Sequence, residues 1–530
     1  MVIHHVGFDK VKQFSKRDKD YQLNSQIFSE YLSFSPDENG LLSAINDRSK
    51  YKVNRSALHE AISQQYKKVE VSGKQQENID ALMSDDSFTV ITAHQPALFT
   101  GPFYYITKIV STIVLAEHLT KISGKKIIPI FINGSEDHDF EEVNHLTIYG
   151  KKVIWNNEEK GPVGRMSMDG LQESFEEFKA ILGESENANT IISIFQSAMD
   201  KSGNYNDFVF YFLNLLFKNQ GLIVVNTDDS ILKRQFIPAI KKELTQKHSH
   251  IIVEKSQKDL EGLGYKPQAH ARDVNLFYFE KGLRERIVFE DGNFKVLNTD
   301  LSWSEVEILN LVDSSPEFFS PNVILRPVYQ ESIFPNIAYI GGGGELAYWQ
   351  ERKELMKYFG TFMPVLIRRN STMFVLKPQL KTAENLGLNW KDLFEDVNNI
   401  NQKYLQSVST IELDLSKEKD DLIKVFSQIA DKAIEIEKGL KDGVEVERTK
   451  ALKQIESLEA RMIKSLKKNE ETAINQIAKL HQKLFPGEGL QERVDNFFQY
   501  FLIFGDKLLP LLFENLNPLN KELIVIVEEN

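Results

Sequence analysis

The 530-residue sequence contains no cysteine, which at once excludes disulfides, thiolate-ligated zinc, iron–sulfur clusters and a cysteine nucleophile. A basic, apolar leader is lacking over Met1 to Phe8, and the greasiest stretch, Tyr500 to Phe513, is broken by Asp506 and Lys507, so no membrane span is expected. Basic excess is absent too: 64 Lys and Arg against 76 Asp and Glu leave a net charge of −12. That balance argues against a nucleic-acid or anionic-membrane partner while leaving room for a local basic pocket. With 42% hydrophobic and 26% charged residues, wholesale disorder is excluded. The expectation is a soluble cytoplasmic protein with chain enough for about three or four domains.

What is present is a repeated grammar from about residue 87 onward, in which a short apolar run ends in a polar or glycine-rich turn and helical periodicity follows. The runs are Phe88–Thr92, Ile127–Ile132, Leu222–Val225, Val323–Leu325 and Pro364–Ile367. Polar residues cluster at the carboxyl end of each, where open α/β sheets bind ligands. The predicted fold is α/β: a Rossmann-like, doubly wound parallel sheet over residues 1–415. Two stretches, about 146–217 and 250–320, exceed an ordinary crossover and predict inserted subdomains. The second alternates over Asn275–Glu280, Glu285–Glu290 and Phe294–Leu297 with a turn at Asp291-Gly292, which predicts a small antiparallel sheet.

Beyond 416 the periodicity changes. Leu422, Phe426, Ile429, Ala433, Ile436 and Leu440 fall at spacings of 4 and 3, and Leu452, Ile455, Met462, Leu466, Ala473 and Leu480 form a second series. Two helices in an antiparallel coiled-coil arm over 416–483 are expected. Glu459, Asn469 and Gln476 interrupt the second stripe. Ile423, Val425, Ala430 and Ile434 add apolar surface beside the first, which predicts a homodimer through the arm. The segment 484–530, with Phe497, Phe498, Tyr500 and Phe501, is expected to return to the core.

Four groups carry candidate chemistry. Glu136-Asp137-His138-Asp139 could hold an amine or a metal or serve as acid and base, or its acids could cap the next helix. His145, seven residues after His138, shares a helix face with it only if the helix begins very early, so no metal is assigned. The loop from His94 and Gln95 to Thr100 and Gly101 is placed like an anion cradle at a helix start, with Thr100 as a simple cap the alternative. Gly341 to Gly344 ahead of Glu345 and Tyr348 points to close approach of a ligand to Gly342 and Gly343, since glycine runs carry an entropic cost. Arg326, Arg368 and Arg369 fall at predicted strand ends and offer planar forks for carboxylates or phosphates, or pair internally with the Glu136 to Asp139 group.

At these residues the sequence resembles the bacillithiol-biosynthesis cysteine ligase family, BshC, over essentially the whole chain. The resemblance rests on His94-Gln95-Pro96 through Thr100-Gly101-Pro102 and Lys108, and on Gly134 to Phe140. It continues through Arg326-Pro327, Gln330, Gly341-Gly342 and Glu345 to Trp349, and through Arg369, Leu484-Phe485-Pro486 and Gln491-Glu492-Arg493. It implies a ligase that joins the carboxyl group of cysteine to the amine of glucosaminyl malate, with ATP expected as the activating co-substrate and a coiled coil linked to dimerisation. On that reading His138 and Asp139 serve the acyl-transfer step, His138 accepting a proton from the amine and Asp139 orienting the imidazole, with a histidine that stabilises a nucleotide phosphate as the alternative; the remaining candidates bind substrate. A cysteine-free chain suits thiol substrates, because it cannot form mixed disulfides with them. The rival classes are another nucleotidyl or acyl transferase on the same fold, or a coiled-coil interaction protein.

Overall fold

The structure is a computed structural model that describes residues 1–280, 282–408 and 414–529. The expected core, 1–415, therefore includes residue 281 and residues 409–413, which lie outside the described residues. The chain forms two compact units, one of residues 1–2, 374–491 and 526–530, the other of residues 3–373 and 492–525.

The larger unit is built on five parallel strands: β1 (Ser87–His94), β2 (Lys126–Asn133), β3 (Ile223–Asn226), β4 (Asn336–Gly341) and β5 (Val365–Arg368). Their spatial order is β5-β4-β1-β2-β3, parallel throughout. The chain starts in the middle, winds outward through β2 and β3, then returns to the other side of β1. This is the doubly wound order, and its switch point lies between β1 and β4. Both faces of the strands are covered, so they read as continuous apolar runs rather than as alternations.

One predicted strand is corrected. Val323–Leu325 is a turn leading into α2 (Arg326–Ile333), and the fourth parallel strand is β4. The Asn322 side chain accepts from the Ile324 and Leu325 N–H groups, and Pro327 sits in the first helical turn. A side-chain-closed turn followed by a proline preset for a helix start outweighs a three-residue apolar run. Arg326 and Gln330 consequently lie on a helix, not at a strand end.

Helix α1 (Tyr104–Ser123) follows β1 and stops at Gly124, whose φ of 68° is the left-handed conformation glycine tolerates. Thr100 is not its cap. Phe99, Thr100 and Gly101 form a buried turn with φ of 43°, 72° and 55°, and Asn496 Nδ2 donates to the carbonyls of Phe99 and Gly101 at 2.9 and 2.7 Å.

The stretch after β2 forms a hairpin (His145–Ile148 with Lys151–Ile154) and three helices. Phe99, Phe178, Phe195 and Phe498 meet there at ring separations of 4.9 to 6.2 Å. The alternating runs beyond residue 275 form a five-stranded antiparallel sheet from Leu276 to Pro321, with its turn at Asp291-Gly292 at φ of 52° and 80°. These positive angles at consecutive residues suit a tight hairpin.

In the smaller unit, α4 (Ser416–Ile436) packs along α5 (Leu440–Asn469), and α6 (Glu471–Leu484) follows a break at Glu470. Helix α3 (Gly343–Gln350) belongs to the larger unit and starts directly after β4. Glu459, out of place on an apolar stripe, accepts from Lys419 Nζ at 2.6 Å and from the Leu415 N–H at 3.1 Å. The break re-phases the seam, so Ala473, Ile477, Leu480 and Leu484 are buried and Gln476 is exposed. Ala430, expected on the outer face, is 5% exposed and lies in the seam, whereas Ile429 faces out. Among the described residues no helix is long and apolar enough to cross a membrane.

Candidate active site

At the carboxyl ends of the sheet, beside the switch point, is a cavity of about 480 Å³. This is within the size range of small-molecule sites. Its wall includes His94 at the end of β1 and Gln95 just after it, Glu136 after β2, Arg326 and Gln330 from α2, and Arg369 after β5. Gly342, Gly343, Glu345 and Tyr348 complete it after β4. Ten of the candidate residues thus meet across more than 270 residues of chain. Thr100 and Gly101 are absent from the wall, as are His138 and Asp139. Thr100 and Gly101 belong to the turn held by Asn496.

The basic side is largely neutralised from within. Lys108, 0% exposed, donates to both oxygens of Glu345 at 2.8 Å and to the Ala93 carbonyl at 2.5 Å. Glu345 also accepts from Tyr339 Oη and from the Gly342 N–H, each at 2.9 Å. Burial alone would raise its pKa, but Lys108 and these donors hold it down at about 2. The Gly342 N–H is therefore spent on the Glu345 carboxylate rather than offered to a phosphate. Gly343 is small for an internal reason: a Cβ there would come within 2.4 Å of the Asp18 carboxyl carbon. Arg369 donates to Glu492 at 2.8 Å, so it is paired internally, but not with the Glu136 to Asp139 group that was its alternative partner. Burial lowers its pKa, and Glu492 opposes that.

Arg326 differs. Its fork donates to Gln330 Oε1 at 3.2 Å and to Tyr348 Oη at 3.0 Å, and it has no carboxylate partner among the described residues. A guanidinium surrounded by neutral acceptors in a cavity is a seat for an anion.

The acidic side lies after β2. Glu136 is paired with Lys233, which is itself completely buried; burial raises the Glu136 pKa and Lys233 opposes the rise. Asp137 accepts from Gln95 Nε2 at 3.0 Å and from the His138 N–H at 2.7 Å, and Arg284 stands 3.9 Å away. Burial would raise its pKa; the donors from His138, Arg284 and Gln95 outweigh burial and hold it well below the usual carboxylate range. Gln95 Nε2 also donates to Glu142 Oε2 at 2.8 Å, so two carboxylates meet at one edge of the cavity. Such an edge attracts an ammonium group.

The histidines separate by environment. His94 Nδ1 faces the Gln95 carbonyl at 2.9 Å and therefore carries the hydrogen, which leaves Nε2 to accept from Tyr104 Oη at 3.0 Å. Burial and neighbouring Lys108 pull this imidazole down to about 4. His138 Nδ1 lies 2.6 Å from Arg284 Nη1, an obligate donor, so its ring hydrogen is on Nε2. Asp139 does not touch the imidazole; it is the N-cap of Phe140–Val143 and accepts from the Glu142 N–H. That helix has four residues and His145 starts a strand, so the two histidines share no helix face.

Asp137 lay within the flagged cluster but was not singled out. Arg284, Tyr104 and Tyr339 were also passed over, although all line the cavity, and Arg493, one of the residues that carry the resemblance, lines it without having been assigned a role. Arg284 reaches it from the antiparallel sheet, 147 positions after Asp137, and nothing in its local pattern marks it. Tyr104 lies between Pro102 and Lys108, within the segment that carries the resemblance, and was legible there.

Comparison with known proteins agrees with this fold. Residues 1–370 match the model of the bacillithiol biosynthesis BshC N-terminal Rossmann-like domain, and residues 372–528 that of the BshC C-terminal coiled-coil domain. The chain is 38% identical over 524 residues to a Flavobacterium johnsoniae protein named "Putative cysteine ligase BshC", covering 98% of this chain and 99% of that one. It is 39% identical to the protein of the same name from Flavobacterium psychrophilum, covering 97% of each. The Bacillus cytotoxicus protein of that name is 27% identical over 92% of this chain and 93% of its own. With both family models matched and close relatives aligned nearly end to end, the chain belongs to the BshC family of bacillithiol biosynthesis.

Proposed function

We propose that the protein is a cysteine ligase that joins the carboxyl group of cysteine to the amine of glucosaminyl malate. The observation that carries this reading is the cavity's split polarity: Arg326, without an acid partner, on one side, and the ionised Asp137 beside Glu142 on the other. Glucosaminyl malate carries two carboxylates and an ammonium group, which complement those two sides. Arg326 receives the malate carboxylates. Arg369, already bound to Glu492, serves the wall instead.

An amide does not form spontaneously from a carboxylate and an amine in water, so the cysteine carboxyl group is activated first, with ATP as co-substrate. The attacking nitrogen must lose a proton before it has a lone pair. Asp137 is too weak a base for that and holds the ammonium instead. His94 is disfavoured by its lowered pKa. His138 takes the proton at Nδ1 by exchanging Arg284 for the substrate, while Asp139 caps the adjacent helix. Two copies of the chain associate through the arm.

The test is to incubate purified protein with cysteine, glucosaminyl malate and ATP and to look for the amide by mass, with AMP or ADP identifying the activated species. Absence of amide with every nucleotide tried would sink the proposal. H138N should leave cysteine activation intact and slow amide formation, with recovery as pH rises; loss of activation itself would remove His138 as the base.

A further inference from the structure

Gln330 lies on the cavity wall, and a primary amide has two ends of opposite hydrogen-bonding character. Its Oε1 accepts from Arg326 Nη1 at 3.2 Å, and its Nε2 donates to Glu331 Oε1 at 2.8 Å. Reversed end for end, the amide would set a donor against the guanidinium. Glu331 is what opposes that reversal. It is 2% exposed and contributes nothing to the cavity wall. The same oxygen accepts from Asn336 Nδ2 at 2.8 Å, and its other oxygen has no hydrogen-bond partner among the described residues. Arg48, equally buried, anchors the end of α2 by donating to the Glu331 and Phe334 carbonyls at 3.3 and 2.6 Å. A buried carboxylate with one oxygen spare is a poor device for stability, because its burial must be offset by its partners. Its position behind Gln330 gives it another use.

We infer that Glu331 is a positioning residue for substrate anions: it fixes the sense of the Gln330 amide, and the amide holds the Arg326 fork with donors unspent for a carboxylate. The chain runs from a buried acceptor through one amide to the cation, and Tyr348 braces the far side of the fork. This inference rests on the reading that Arg326 receives the malate carboxylates. It adds that recognition of the dicarboxylate, and not of cysteine, depends on a residue the substrate never touches.

The test is calorimetric binding of glucosaminyl malate and, separately, of cysteine to the full-length protein. E331M removes the acceptor, Q330M removes the amide, and E331Q keeps an oxygen that can accept from Gln330. Losing a hydrogen bond to a charged group predicts about tenfold weaker glucosaminyl malate binding for E331M and for Q330M, with cysteine binding unchanged. The E331M/Q330M double variant should be no weaker than either single one, since both break one chain. E331Q should stay within about twofold of the parent protein. Should E331M not fold, E331D withdraws the carboxylate from Gln330 and predicts the same selective loss. Unchanged binding in E331M or E331D, losses that add in the double variant, or equal loss for cysteine would overturn the inference. R326K tests the underlying reading separately: if it leaves glucosaminyl malate binding intact, the reading fails. If R326K weakens binding and E331M does not, only the positioning role falls.

Discussion

Lys108 illustrates how a single residue can sit at a site without acting in it. Its ammonium is buried and fully engaged by Glu345 and the Ala93 carbonyl, so it fastens the end of β1 to the start of α3. Removing one member of such a pair strands the other charge. K108M should therefore lower unfolding stability by about 3 to 5 kcal/mol, and K108M/E345Q should recover much of the loss in chemical denaturation. Glu331 gives the complementary case. Burial raises its pKa from the ordinary carboxylate value to about 7, with Arg48 opposing the rise. A raised carboxylate pKa means that the fold favours the protonated form. The associated stability is present below the unfolded value and is lost as pH rises through about 7. E331Q, which cannot ionise, should match the parent protein near pH 4 and exceed it by up to about 3 kcal/mol at pH 8.5. A difference independent of pH would exclude titration of Glu331 as its cause.

Among the elements, the turn from Phe99 to Gly101 shows strain held by one side chain. Positive φ at Phe99 and Thr100 is unfavourable for residues with a Cβ, at about 1 to 3 kcal/mol each. Asn496, wholly buried, supplies the compensating bonds. N496A should cost about 2 to 4 kcal/mol in thermal or denaturant unfolding, and T100G in that background should return part of it. The same turn marks the limit of what the sequence discloses. The strand ends were legible at four of five positions, because apolar runs closed by polar clusters are local patterns; His94, Gln95, Glu136 and Arg369 followed from them, while Glu345, after β4, was marked by the glycine run before it. Val323–Leu325 was misread, because the Asn322 side chain and Pro327 turn a strand-like triplet into a helix start. Asn496, Glu492 and Arg284 were not legible as site partners, since each meets its partner only through the tertiary fold, across 123 positions for Arg369 and Glu492. Asp139 was read as a partner for His138 from adjacency alone, yet neighbouring side chains in a capped turn point apart.

At the scale of the whole molecule, the arm carries apolar surface that its own hairpin does not use. Helix α5 has 30 residues and so runs about 45 Å, long enough to present an extended face. On α4 the side chains of Val425, Ile429 and Ile436 are spaced 4 and 7 apart on one side of the helix, and Ile436 is 81% exposed. Val446, Leu458 and Met462 are also exposed on α5. The hairpin seam takes Ala430 instead, so the outer stripe is additional to the internal one. An exposed apolar face on a charged helix is stabilised by a matching face, and a second copy of the same arm would supply one with the symmetry that most homodimers use. Replacing Val425, Ile429 and Ile436 together by Glu would bring like charges into that contact while leaving Ala430 and the internal seam intact. The triple variant of the full-length chain should sediment at half the mass of the parent protein, with an unchanged helical circular dichroism signal. An unchanged mass would show that a second arm does not cover this face.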